Sequence, residues 1–386
     1  MAKFDVAIIG AGPSGSATAI ALARRGYAVA LVDKERFPRE KLCGDFVNPI
    51  NLPIFRALGV EQQILAEDHE RVTAFRVTSF LTGEAEAPLP SVDKQTLFGL
   101  GMRRASLDSI LLQQAEKEGA AAFQDARVGE LKRESQAWRL QVDQGGAREE
   151  LRARILIGAD GRNSWVAHRL GLSSPAATQG RALGLQVRLK RARSLAGKVE
   201  IHLFPGGYAG VVGVGGDVIN LCLAVRKETL PAGQPMDSLW NAALPRNPNL
   251  EEILCTSERV GKTRSIYPIY FSPRRSVGDG VLLVGDAARV SEPVTGEGIY
   301  FALRSGLLAA DAADRAFRFM DFSAAQLGTY EQACRRLFRA RRGLNALLRF
   351  LIYRPALFAS LIRLSATKRR LVESMIRAIC LPEPAP

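Results

Sequence analysis

The chain opens on Phe4 to Ile9, a short β-branched run bounded by glycine, which predicts a buried strand. Ser14 to Arg25 follows as an alanine-rich helix ending before Gly26, and Ala28 to Val32 is a second strand closing on Asp33. These segments make one βαβ unit of the usual size. Arg71 to Thr78 alternates as a strand does, and Ser106 to Glu118 carries Leu107, Ile110, Leu111 and Ala115 on one helical face. Trp138 to Val142 and Ile155 to Ile157 are further strands. From Ala182 the pattern changes: Leu183 to Leu189, Val199 to Phe204, Tyr208 to Val214 and Val218 to Val225 alternate between Gly, Pro and Asp turns, predicting an antiparallel sheet. Gly280 to Val284 returns to a buried apolar strand, and Gly298 to Arg315 is a helix.

Composition keeps this within ordinary globular proteins, with 47% apolar and 24% charged residues in 386. Five scattered cysteines without a CxxC pair argue against a disulfide framework or a zinc site, and three distant histidines suggest no metal. The longest uncharged run, Val6 to Ala23, is broken by glycines and proline and has no basic leader, so a cytoplasmic protein is expected. The net charge of +14 is uneven: twelve Arg/Lys face three Asp/Glu between Glu331 and Pro386.

Gly10-Ala-Gly12-Pro13-Ser14-Gly15 joins the first strand to its helix. The first glycine permits the turn, the second lets backbone amides approach a pyrophosphate, and the third lets helix pack on strand. Asp33, with Lys34 beside it, is placed to accept from a ribose hydroxyl. This unit points to a dinucleotide without choosing between NAD and FAD. Two more strand ends carry glycine and acid: Gly158-Ala-Asp160-Gly161, and Gly285-Asp286 followed by Pro293, Gly296, Glu297, Gly298 and Ile299 at a helix start.

In this order the three motifs resemble the FAD-dependent oxidoreductases of the p-hydroxybenzoate hydroxylase fold, a group with aromatic hydroxylases, flavin-dependent halogenases and geranylgeranyl reductases. The resemblance covers about the first 330 residues. It implies an α/β fold: a Rossmann-like FAD-binding domain (1–75, 97–180 and 275–330), an inserted antiparallel β-sheet substrate domain (76–96 and 181–274), and basic C-terminal helices (331–386). It also implies that Asp286 bonds the sugar region of FAD, that Pro293 and Gly296-Glu297-Gly298 lie along the isoalloxazine, and that the following helix aims its positive end at the flavin. Asp160 would lie near the ADP part. Arg104 matches an arginine near the pyrophosphate, the alternative being a surface cation before a helix.

Pro38-Arg39-Glu40-Lys41-Leu42-Cys43-Gly44-Asp45 is similar to the Lys-x-Cys-Gly stretch of the geranylgeranyl reductases. Arg39 or Lys41 would neutralise phosphate, Gly44 would run beside FAD, and Cys43 is either a group against the flavin or a small buried apolar residue. The aromatic tunnel motif of those reductases is reduced here to Phe204-Pro205, and the halogenases' tryptophan-rich motif and catalytic lysine are not recognisable. His202 suits a structural histidine. Gly210 to Gly216 lacks strand–helix context and is expected to be a β-turn, so NAD(P)H would act transiently at the flavin face. The leading expectation is a monooxygenase hydroxylating a lipophilic, phenolic or polyketide-like molecule; the alternative is reduction of isoprenoid double bonds. Cys43, Pro293 and Gly296 are the residues expected nearest the reacting flavin.

In the tail, Leu344, Leu347, Leu348, Leu351 and Ile352 share a helical stripe with Arg341, Arg342 and Arg349 nearby. After Arg354-Pro355 come Leu357, Phe358, Leu361, Ile362 and Leu364, then Lys368-Arg369-Arg370. Basic amphipathic helices can lie on an anionic membrane, or pack on the flavin domain with arginines solvated. No module accompanies the charge to suggest nucleic acid.

Overall fold

A computed structural model describes residues 2–80, 83–173, 182–190, 194–229, 240, 247–291, 293–354, 357, 360 and 369–381. Pro355, Phe358, Leu361, Ile362, Leu364 and Lys368 lie outside the described residues.

The strand Ala2–Ile9 pairs in parallel with Val29–Val32 on one side and with Ala147–Gly158 on the other. Ala121–Phe123 extends the sheet at one end and Val281–Leu283 at the other, both in parallel. The twelve-residue strand Ala147–Gly158 does two jobs. Glu150 to Arg154 alternate in burial, and Ala147 to Ala153 pair antiparallel with Ala137–Gln144. Its last four residues, Ile155 to Gly158, are all buried, as a parallel strand covered on both faces requires. The helices Pro13–Ala23, Arg104–Lys117 and Gly298–Phe319 share one apolar core on the first face, and Trp138, Leu140 and Val142 line the core on the other.

The second sheet has seven strands, in the order Glu258–Ile266, Ala182–Lys190, Val218–Arg226, Gly207–Gly213, Lys198–Phe204, Ala74–Ser79 and Glu84–Pro88. All its pairs are antiparallel except that of Ala74–Ser79 with Lys198–Phe204. The strand expected from Arg71 to Thr78 is in fact two, Glu70–Val72 and Ala74–Ser79, because the Thr73 amide turns aside to donate to Gly197 O. Gly210 lies inside a strand and Gly215 and Gly216 in the turn after it, away from any helix start.

The C-terminal helices pack on the rest of the chain, and the departure from expectation is confined to where one helix begins and to one arginine. A single helix, Ala324–Ile352, runs through the position where the sequence placed a boundary. Its early residues Leu327 and Tyr330 are buried in the core of the first sheet, and the Tyr330 hydroxyl donates to Leu283 O at 2.7 Å. Leu348, Leu351 and Ile352 are buried too, as are Ile376 and Cys380 of the helix Arg369–Cys380, which pack against Ala87 and Leu89. Arg341, expected on a solvated basic surface, is only 5% exposed. Among the described residues, no helix is long and apolar enough to cross a membrane.

Candidate functional site

The first glycine loop sits where neighbouring strands lead to opposite sides of the sheet, the usual ligand position in such folds. Gly10 has φ +106°, and a Cβ there would stand 2.4 Å from Ala159 O. A Cβ on Gly15 would lie 1.9 Å from Gly10 O, so that glycine is what lets helix approach strand. Gly12 differs: its φ of −73° suits any residue, and a Cβ would meet only Arg39 Nη2, at 3.4 Å. The space in front of it is open. Behind it the helix Pro13–Ala23 begins with no side-chain cap and no acid in its first turn, leaving amides for an anion.

Around that space the chain gathers cations. Asp108, fully buried, accepts both Nε and Nη2 of Arg104 at 2.8 and 2.7 Å, and pairs with Arg39 at 3.0 Å. Arg104 is therefore an interior residue. Lys41 Nζ lies 3.5 Å from where a Cβ of Gly161 would be. Its ammonium is pushed below the ordinary lysine value, first by burial and then by repulsion from Arg104, with Arg39 and Arg162 adding and Asp286 opposing. Four cations crowded at a glycine loop are an arrangement that a pyrophosphate would relieve, so the residues fit a dinucleotide.

Asp33 closes the loop from below: its carboxylate accepts from the Ala11 amide at 2.7 Å and the Glu35 amide at 3.0 Å, while Lys34 is exposed. Ser14 is buried where the first motif meets the third, for a Cβ on Gly285 would stand 2.7 Å from its hydroxyl. Asp286 is half-exposed and pairs with Arg162 at 3.5 Å. Arg274 ties the second motif to the third, donating to Ala287 O at 2.8 Å and Arg162 O at 2.7 Å. Asp160 accepts from the Val166 amide at 3.0 Å, and burial raises its carboxyl above the ordinary value.

The turn before the helix Gly298–Phe319 leaves Pro293 and Gly298 exposed, and Ile299 turns into the core. Gly296, at φ +64°, packs where a Cβ would be 2.6 Å from the Phe46 ring, which joins this turn to the stretch after Cys43. The Glu297 side chain points into the interior. It is fully buried and pairs with Arg341 at 2.7 Å; Arg341 also donates to the carbonyls of Ala378 and Leu381. The carboxylate faces the C-terminal helices because their arginine is the counter-charge within reach. Burial lifts Glu297 to about 7, with Arg341 and Thr295 pulling the other way.

Cys43 is a free thiol, raised by burial with the nearby Arg104 cation opposing, so it is held neutral and not as a nucleophilic thiolate. Its carbonyl accepts from Gln186, Asn220 and Cys222 of the second sheet, at 3.1, 2.9 and 3.0 Å. Gly44 is exposed. His202 is buried between Thr78 at 2.8 Å and Glu200 at 3.2 Å, a structural histidine. Sequence reasoning missed Asp108, Arg162, Arg274, Asp45, Gln186, Asn220 and Arg341. Asp108 had a signal in its helical i+4 spacing from Arg104, and Asp45 in following Cys43-Gly44; nothing in the sequence connects Arg274 or Arg341 to their partners. Among the described residues no group of acids, histidines and cysteines could hold a metal ion.

Residues 3–312 match the family described as FAD binding domain. Digeranylgeranylglycerophospholipid reductase of Methanosphaerula palustris is 30% identical over 353 residues, which cover 86% of this chain and 82% of the relative. Menaquinone reductase of Mycobacterium tuberculosis is 29% identical over 80% of this chain and 76% of its own. The solved flavin-dependent brominase Bmp2 superposes with a TM-score of 0.80 over 98% of this chain and 94% of that one, at 20% identity, a likeness of fold.

Proposed function

We propose that this chain, which belongs to the FAD binding domain family and is an FAD-dependent oxidoreductase, takes electrons from NAD(P)H and reduces carbon–carbon double bonds of a lipophilic, isoprenoid-type substrate. The observation carrying this reading is the apolar junction of flavin turn and second sheet: Val294 packs with Leu203, Tyr208, Ala224, Ile269 and Tyr270 in one cluster. Phe46, beside Gly296, packs with Val72, Val199, Val212 and Val214 in another. A substrate meeting the flavin there would meet hydrocarbon, and the name of one reductase relative denotes a geranylgeranyl lipid.

FAD, when bound, supplies the two-electron chemistry. The chain's part is to hold and shield it. Gly12 and the open helix end receive the pyrophosphate, Arg39, Lys41 and Arg104 balance its charge, Asp33 and Asp286 accept from sugar hydroxyls, and the apolar junction excludes water. Hydroxylation of a phenolic substrate would use the same dry wall and differ in its product. The deciding experiment mixes NAD(P)H-reduced holoprotein with a geranylgeranyl lipid without oxygen. Flavin reoxidation with a product heavier by two hydrogens is expected. Reoxidation only when oxygen and a phenol are supplied, with one oxygen gained in the product, would refute the reduction.

We propose further that one face of the protein meets an anionic membrane, from which such a lipid would be drawn. Leu347, Phe350 and Leu357 are 49%, 47% and 49% exposed, and Arg354 stacks on Phe350 at 3.7 Å. Bulky apolar residues beside cations suit the lipid boundary. Co-sedimentation with anionic vesicles should fall as salt rises and be lost in L347E/F350E; unchanged binding by that variant would refute the placement.

A further inference from the structure

The strand Val281–Leu283 leads at its C-terminal end to Gly285 and the flavin motifs. At its other end, beside Gly278 and Val281, lies a cavity of about 800 Å³, a volume within the span of about 300–1,000 Å³ usual for small-molecule sites. None of the residues assigned to FAD lines it. Its walls include the turn between the strands Ala126–Glu134 and Ala137–Gln144, and the junction of the helices Gly298–Phe319 and Ala324–Ile352.

Three arginines line the cavity: Arg133, Arg154 and Arg275. Arg133 stacks over the Trp138 ring at 5.1 Å and Arg154 over the Phe322 ring at 5.6 Å, so aromatic faces and not carboxylates hold them. Nearby, Arg139 pairs with Glu134 and Glu150, and Arg152 with Glu134, whereas none of the three lining arginines is in an ion pair among the described residues. Two acids stand at the rim, and both are turned to the start of the helix Ala324–Ile352. Asp279 Oδ1 accepts from the Ala324 amide at 2.7 Å, and Asp321 Oδ1 from the Ser323 amide at 2.9 Å, where the helix dipole balances part of their charge. Burial pulls the Arg133 guanidinium below its ordinary value, and Asp279 opposes only in part. The guanidinium forks match a phosphate or a carboxylate. Between them the wall is apolar. Trp138 is buried with its indole N–H given to Gly280 O at 2.7 Å, and it clusters with Leu172 and Val281. Met320 stands 60% exposed at the rim, set there by the left-handed turn that ends the helix Gly298–Phe319.

We propose that this cavity is a second binding site, separate from that of FAD, for an amphiphilic anion. Arg133, Arg154 and Arg275 hold its phosphate or carboxylate headgroup, and Trp138, Phe322 and Met320 cover its apolar body. Neither half suffices alone. An inorganic anion would meet the guanidinium groups but leave Met320 and the rings uncovered, and a neutral hydrocarbon would cover them while leaving three like charges unrelieved. The site does not depend on which molecule the flavin reduces.

The test uses the holoprotein with fluorotryptophan at its three tryptophans, the Trp138 resonance being identified by its loss in W138F. Octyl phosphate is titrated in, with fluorine NMR reporting the place and calorimetry the affinity. The Trp138 resonance should move with saturation at one equivalent, while the flavin absorption spectrum stays unchanged. Octanol and inorganic phosphate should each bind about tenfold more weakly or worse. R154Q/R275Q, which alters a half-buried and an exposed residue, should weaken octyl phosphate about tenfold or more at unchanged flavin content. M320S, at an exposed position, should weaken octyl phosphate more than inorganic phosphate, and carries the test if the double variant loses stability. Binding that leaves the Trp138 resonance unmoved, octanol bound as tightly as octyl phosphate, or either variant binding octyl phosphate at wild-type affinity would overturn the proposal. Phosphatidate vesicles then separate the sources: a moved Trp138 resonance supports a bilayer lipid as the ligand, and an unmoved one supports a soluble amphiphile.

Discussion

Replacing Arg341 by methionine keeps the side-chain stem and deletes the charge that holds the C-terminal helices to the flavin turn. Two costs follow, and pH separates them. Arg341 donates to the carbonyls of Ala378 and Leu381, and charge-assisted bonds of this kind contribute about 1.5–3 kcal/mol each. Ala378 is exposed and Leu381 half-buried, so water can partly replace the donor, and roughly 2–4 kcal/mol is the expected loss at pH 6. The second cost comes from Glu297. Its carboxyl already stands at about 7 with Arg341 beside it, so below that pH it is largely protonated and loses little when the arginine goes. Above it, the wild type gains an ion pair that is 6% and 0% exposed, whereas R341M must keep the carboxyl protonated. That difference grows by about 1.4 kcal/mol for each pH unit. Urea unfolding of the holoprotein, followed by tryptophan fluorescence at pH 6, 7 and 8, measures it. The R341M deficit should increase from pH 7 to pH 8, and E297Q/R341M, compared with E297Q, should show the same deficit at every pH. A deficit under 1 kcal/mol at pH 8, or one that ignores pH, would refute the account of the pair.

Two other outcomes are expected. G12V should fold with wild-type stability, because its backbone angle is ordinary and the nearest atom is the tip of Arg39, yet purify without flavin because the branched side chain fills the pyrophosphate's place; a yellow G12V would refute the assignment of that loop. Asp45, raised from 3.8 to about 7, leaves the folded protein holding a proton that the unfolded chain has released between those values. Its contribution to stability is therefore complete below pH 4 and lost as pH rises through 7, and D45N should flatten that decline in denaturant midpoints measured from pH 5 to 8.

The nucleotide site was legible in the sequence because its signals are local. Gly10, Gly12 and Gly15 are set by backbone sterics within one strand–turn–helix, and the second and third motifs repeat a strand end with glycine and acid, so each is visible in a window of a few residues. The change to alternating strands after Ala182 was legible for the same reason, since period two is a property of neighbours. What only the tertiary structure decided is which charges meet. Arg341 and Glu297 are 44 residues apart, Asp45 and Arg188 143, and no periodicity links either pair. The tail looked like a basic surface because hydropathy counts an arginine as solvated wherever it stands. Burying a carboxylate in the flavin turn demands a counter-charge, and the fold supplied it from the tail, turning an arginine expected in solvent into one that pins the tail to the core.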